Sequence, residues 1–361
     1  MNDETALGSP VRVDERPGHL WFPTLHAFGE EEVLCVAAIT HDQPQGVWPA
    51  AAYLSRNGGR SWRWVPEITD YALASVRLGP RDLLLLPYAL APTSQYNYDS
   101  AFAIGTRVTL KGNGILTTAC HTIRFHDLPR EVDRYPHGGL RMVMGGNVVV
   151  LAEGTLWTNV YARCRGDQHY SLWGMVSRDN GCTWSFRGSV VQQGDLANTE
   201  EGPSESSTLL LPEGTLACVY RIGSGVGQEY HRSESLDGGH HWTTPRPLQG
   251  MGSVKPQWIR FDDGTLFLTG GRPGLTLWRS QDDQTWDSLD LMASHNNKVR
   301  DHTQRFQIPW TKSAVTTSYT SLCLLNARKA LVCYDRLGNG WRGAPGPHGA
   351  TDTIFCVSIE R

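Results

Sequence analysis

Ser177-Arg178-Asp179-Asn180-Gly181-Cys182-Thr183-Trp184 reads S-x-D-x-G-x-T-W, and weaker copies of it recur along the chain. Ser235-Leu236-Asp237-Gly238-Gly239-His240-His241-Trp242 keeps Ser, Asp, Gly and Trp. Ser55-Arg56-Asn57-Gly58-Gly59-Arg60-Ser61-Trp62 puts Asn where Asp stood, and Ser280-Gln281-Asp282-Asp283-Gln284-Thr285-Trp286 is one residue shorter and lacks the glycine. Each copy has the chemistry of a tight hairpin. The Asp or Asn side chain bonds nearby backbone N–H groups, a glycine takes the positive φ, and the Trp anchors the start of the next strand. A recurring turn of this kind is architecture before it is a site.

The copies lie 122, 58 and 45 residues apart, measured Ser to Ser. A unit of about 45–60 residues has the spacing of a propeller blade, and the first gap spans two units, so one blade has lost its box. The expected fold is all-β: a six-bladed β-propeller of four-stranded antiparallel blades, forming a single domain over residues 1–361. The blades are expected over residues 20–64, 73–125, 140–186, 206–242, 254–286 and 319–357. Residues 292–317 are polar and break the strand rhythm, which predicts a long insertion over one face; no amphipathic helix is expected.

Composition bounds the partners. Hydrophobic residues make up 40% and charged ones 19%, the balance of a soluble globular chain. A net charge of −3 argues against nucleic acid and anionic membrane, and no apolar run is long enough for a bilayer. Several of the eight cysteines sit in apolar runs such as Val33-Leu34-Cys35-Val36, and no C-x-x-C occurs. Buried reduced thiols are therefore expected, with neither metal nor cofactor. With no basic-apolar leader at the start, the expected location is cytoplasmic, and the expected state a monomer or small homo-oligomer.

Three segments share an inner grammar of polar group, strand, turn, and strand ending in a polar or charged residue. They run from Glu205 to Arg221, from Pro256 to Arg272, and from Tyr319 to Asp335. Inner strand ends of a propeller converge on its axis, so Glu205, Arg221, Arg272 and Tyr319 are expected to face one cavity. Here the chain resembles the sialidase (neuraminidase) superfamily. In that family a Glu is followed sixteen residues later by an Arg, as Glu205 is by Arg221. A later Arg precedes an Asp box, as Arg272 precedes Ser280, and a Tyr heads the last blade, as Tyr319 does.

The resemblance implies an exo-acting hydrolase that releases a terminal acidic sugar. A sialic acid carries a carboxylate on its anomeric carbon, which repels a carboxylate nucleophile, so the family uses a neutral tyrosine. Tyr319 would be that nucleophile, Glu205 its base, and Arg221 and Arg272 the grip on the carboxylate. Asp42 is the candidate acid, with His41 beside it as a competitor. The family's Arg-Ile-Pro motif corresponds to Leu20-Trp21-Phe22-Pro23, so Trp21 stands at the arginine's place among the substrate-contacting candidates. Arg12 and Arg16 are candidate replacements. His137, in a Gly-rich loop, is a further binding candidate.

Other readings stay open. A uronate lyase would use His41 or His137 with a Tyr, and Arg221 or Arg272. A non-catalytic carbohydrate-binding propeller would treat Tyr319 as a core residue and the arginines as structural partners of buried carboxylates.

Overall fold

The computed structural model describes residues 5–42, 48–94, 99–112, 114, 116–136, 138–196, 199–223, 228–308, 316–338, 340 and 350–361. His137 and part of the 292–317 insertion lie outside them.

Six antiparallel blades surround a common axis. The first is built from Trp21–Ala27, Val33–Ala38, Ala50–Ser55 and Arg63–Val65. The fourth (Ser206–Leu210, Leu216–Tyr220, His231–Ser235, Arg246–Pro247) and the fifth (Gln257–Arg260, Leu266–Gly270, Thr276–Ser280, Asp287–Asp290) repeat that order. Middle strands such as Val33–Ala38 and Leu156–Ala162 are buried along their whole length, because neighbouring blades cover both faces.

Two connections were not expected. The second and third blades merge into one sheet, since Leu116–His126 pairs in parallel with Thr183–Val191 at Arg124–Thr183, Phe125–Trp184 and His126–Ser185. The last blade takes Thr320–Asn326, Lys329–Arg336 and Thr351–Glu360 from the C-terminal end, and its outer strand, Val11–Pro17, from the N-terminal end. That pairing closes the ring. It also removes Arg12 and Arg16 from consideration as pocket cations: Arg12 pairs with Glu15 at 2.6 Å and Arg16 with Asp14 at 2.9 Å, on this outer strand.

All four boxes form the expected turns. In the best copy Asp179 accepts from Thr183 N at 2.9 Å, Gly181 N donates to Ser177 Oγ at 2.9 Å, and Trp184 Nε1 donates to Gly181 O at 3.0 Å. Gly181 has φ +85°, where a side chain would be strained. In the short copy Asp283, at φ +60°, replaces the glycine and donates its N–H to Ser280 Oγ at 2.9 Å.

Trp157, fully buried in the third blade, packs against two glycines. A Cβ at Gly174 would lie 1.7 Å from the indole, and one at Gly239, in the fourth blade's box, 2.1 Å. Gly174→Ala is therefore expected to cost about 1–3 kcal/mol by overpacking. A lowered urea midpoint with an unchanged m-value would register this, and an unshifted midpoint would contradict it.

The insertion contains a short helix, Leu291–Lys298, which carries no amphipathic signature in the sequence. Asp290 caps it by accepting from Ala293 N at 2.9 Å. Eight residues are too few to show a periodic apolar face, so burial of Leu291, Met292 and His295 determines it. His295 Nε2 donates to Gln304 O at 3.0 Å, which leaves Nδ1 to accept from Tyr334 Oη at 2.9 Å. Burial pulls its pKa down to about 4, and that of buried His26 down to about 3. Both imidazoles stay neutral in the fold while the unfolded chain takes up protons below about pH 6.5. Their contribution is complete above pH 6.5 and lost as the pH falls towards 4 and 3. Each adds a slope of about 1.4 kcal/mol per pH unit over that window. Urea unfolding at stepped pH should show this loss, with His295→Gln flattening part of it.

Candidate active site

A cavity of about 390 Å³ opens where the blades meet, and none of the box residues lines it. Its charged lining is Asp42, Glu201, Glu205, Arg221, Lys255 and Arg272; its aromatic wall is Phe22, Trp48, Tyr71, Tyr88, Tyr135, Tyr161, Tyr170 and Tyr319. A wall of this kind offers flat apolar faces with polar tips, which suits a sugar ring.

Each functional side chain comes from an inner strand end. Glu205 immediately precedes Ser206–Leu210, Arg221 follows Leu216–Tyr220, Arg272 lies two residues beyond Leu266–Gly270, and Tyr319 precedes Thr320–Asn326. The four converge as the sequence predicts. Tyr319 Oη donates to Glu205 Oε1 at 2.5 Å, and the other carboxylate oxygen lies 3.0 Å from Arg221 Nη1. The Arg272 guanidinium carbon is 5.1 Å from the centre of the Tyr319 ring, and its Nη1 donates to Ser318 Oγ at 2.5 Å. Burial pushes the Tyr319 phenol well up, with the Glu205 charge adding to the shift and Arg221 and Arg272 opposing it. The resting phenol is neutral.

Asp42 lies at the solvent-open side of the same cavity. The surrounding protein and then the Glu205 charge raise its pKa, against Arg272 and Arg221. A carboxyl held towards its protonated form beside an open mouth has the character of a general acid. His41 is exposed and does not line the cavity.

Trp21 is displaced from the expected role. Its indole stacks behind Phe22 at 4.1 Å and donates Nε1–H to Thr40 O at 2.7 Å, so it faces away from the cavity. Phe22 takes the lining position, at φ +54° and 4.3 Å from the Tyr319 ring. Its N–H donates to Asp335 Oδ2 at 3.0 Å. That fully buried carboxylate also accepts from Ser318 N at 2.5 Å, Tyr319 N at 3.2 Å and Thr317 Oγ1 at 3.0 Å. Asp335 thus ties the first blade to the last directly behind the tyrosine.

Sequence reasoning missed Glu201, Lys255 and most of the aromatic wall. Glu201 Oε1 lies 2.6 Å from Arg221 Nη2, so this arginine serves two carboxylates. Lys255 stands one residue before Pro256, the position equivalent to Glu205 and Tyr319, and this offset hid it from the repeat grammar. An adjoining recess of about 230 Å³ shares Trp48, Tyr71 and Tyr88 with the central cavity. Its only charged side chain among the described residues is Asp70, whereas the cavity at the axis gathers six.

Residues 117–327, more than half of the chain, match the family described as BNR repeat-like domain, and the chain belongs to that family. Among solved structures, it is similar to a protein of unknown function from Dyadobacter fermentans (16% identity, TM-score 0.58, covering 98% of this chain and 100% of that one). It is also similar to the Penicillium chrysogenum α-L-arabinanase solved with arabinobiose (15% identity, TM-score 0.57, 97% and 98% covered). A third is the intramolecular trans-sialidase of Ruminococcus gnavus solved with oseltamivir carboxylate (14% identity, TM-score 0.56, 96% and 97% covered). At these identities the likeness is one of fold: a sialidase-like propeller shared with sialidases and arabinanases. No curated protein matches the chain.

Proposed function

We propose that the chain is an exo-acting glycoside hydrolase of the sialidase type, releasing a terminal acidic sugar, sialic acid or a related nonulosonic acid. The hydrogen bond from Tyr319 Oη to Glu205 Oε1 carries this reading. A phenol is a poor nucleophile until its proton has somewhere to go, and Glu205 is in place to take it as attack proceeds. Tyr319 Oη would bond to the anomeric carbon while Asp42 protonates the departing oxygen and the bond to the aglycone breaks. Water, deprotonated by Asp42, would then displace the tyrosine, and Glu205 would return its proton to the phenolate.

Arg272 supplies positive charge for the substrate carboxylate, whereas Arg221, already bonded to Glu201 and Glu205, chiefly orients the base. The uronate-lyase reading calls for an imidazole base, and no histidine is among the described lining residues.

The test is a panel of aryl glycosides of nonulosonic acids, arabinose and uronic acids, read by aglycone release and by near-ultraviolet absorbance of an unsaturated product. Release from the nonulosonic acid glycosides without new absorbance is expected. Turnover of arabinosides alone, or an unsaturated product, would overturn the proposal.

A further inference from the structure

Lys255 carries three unusual features. The residue is 4% exposed, and its Nζ, buried, has no hydrogen-bond partner among the described residues. Its backbone sits at φ +42°, which costs any residue with a Cβ, and it precedes Pro256, which narrows the allowed conformations further. Strain and an unsatisfied buried cation at one residue are both destabilising, and such costs concentrate where function requires them. Of the 33 basic side chains only five are lysines, and one of those five is here.

Its surroundings indicate what the charge acts on. Nζ lies 5.7 Å from the centre of the Tyr319 ring, and the Lys255 N–H donates to Glu205 Oε2 at 2.9 Å. Arg272 is the second cation near that ring, at 5.1 Å. Tyr319 and Glu205 share one proton and one negative charge. Arg221 lies on the carboxylate at 3.0 Å and its charge reaches the phenol as well, while Lys255 and Arg272 stand over the ring, where they favour charge that moves onto Tyr319. We propose that Lys255 is a positioning residue whose ammonium charge stabilises negative charge on Tyr319 as its proton passes to Glu205. This rests on the Tyr319–Glu205 pair being the reacting pair.

The ammonium can lose its charge in an accessible pH range. Burial pulls its pKa down to about 8, against the raising effects of Glu205, Asp335 and Cys35. The other groups facing it are His26, itself buried and neutral, and Tyr319, whose ring also lies under Arg272. As the pH rises through about 8, the charge disappears and the phenol becomes harder to ionise. The rate should therefore fall on that alkaline limb.

Two measurements test this. With only five lysines, ¹³Cε labelling should resolve one that titrates near pH 8, is absent from Lys255→Met, and moves lower in Glu205→Gln, where the neighbouring anion is gone. With a turned-over substrate, Lys255→Met should lower kcat about tenfold or more, leave KM nearly unchanged, and lack the alkaline limb near pH 8. A Lys255 resonance that titrates with the other four, or ignores Glu205→Gln, overturns the inference. So does a Lys255→Met enzyme with the parent's kcat and pH profile. If no glycoside is turned over, the assigned reaction fails, while the resonance still decides whether the charge is coupled to Glu205.

Discussion

Tyr319→Phe is expected to lower kcat on nonulosonic acid glycosides by at least ~10³-fold, about 4 kcal/mol of transition-state stabilisation, with the fold intact. The substitution removes one oxygen and leaves the ring. The contacts with Phe22 at 4.3 Å and beneath Arg272 at 5.1 Å are kept, so a Tyr319 serving as packing alone would lose little. Glu205 would lose its donor, and its carboxylate would still be held by Arg221 at 3.0 Å and the Lys255 N–H at 2.9 Å. Glu205→Gln should cost about 10²–10⁴-fold, because the amide cannot accept the phenol's proton. The two losses should not add, since base and nucleophile act as one unit. A stronger check uses a 3-fluoro nonulosonyl fluoride, which should label the parent at Tyr319 and leave the Phe variant unlabelled. Parent-like turnover by Tyr319→Phe would remove the tyrosine from the mechanism, whereas a non-catalytic propeller would show no turnover by either protein.

The convergence behind that prediction was legible because repeats impose phase. The box turns mark the last hairpin of four of the six blades and so set the phase of the repeat, and Glu205, Arg221, Arg272 and Tyr319 fall at inner strand ends within it. Residues outside the repeat grammar were not legible. Trp21 and Phe22 are adjacent, and only the positive φ of Phe22 decides which ring enters the cavity; no single-sequence signal marks a non-glycine residue for that region. The pairing of Val11–Pro17 with Thr351–Glu360 is a contact between the chain's two ends, invisible to local pattern, and it withdrew Arg12 and Arg16 from the site. Tyr71, Tyr88 and Tyr161 carry no sequence signal of their own, because an inward-facing tyrosine has the same sequence context at the axis as in a core. The second blade's missing box hid the merger of the second and third blades, since no marker showed where its last strand ends.

Asp335 is where fold and site depend on the same atoms, and its removal carries the largest expected stability cost. Asp335→Ala would leave the buried N–H groups of Phe22, Ser318 and Tyr319 and the Thr317 hydroxyl without their acceptor. Each orphaned donor costs about 1–3 kcal/mol, and partial relaxation brings the total to roughly 3–5 kcal/mol. The loss falls on the seam between the first and last blades, the junction that the N-terminal strand also closes. Among the described residues nothing else on that seam reproduces the geometry. Asp352, the nearest analogue, accepts from Leu20 N at 3.3 Å and Gly338 N at 3.0 Å, one step away from the tyrosine. Asp335→Asn separates the two functions of the carboxylate. Its amide oxygen can still serve Ser318 and Tyr319, while its NH₂ would face the Phe22 N–H, donor against donor. This variant should lose about 1–3 kcal/mol, release Phe22 from its strained φ, and lower kcat more than its stability loss explains. Urea midpoints measured beside kcat at a temperature where both variants are folded will separate the effects. A fully active Asp335→Asn enzyme would mean that the tyrosine's position does not depend on this carboxylate.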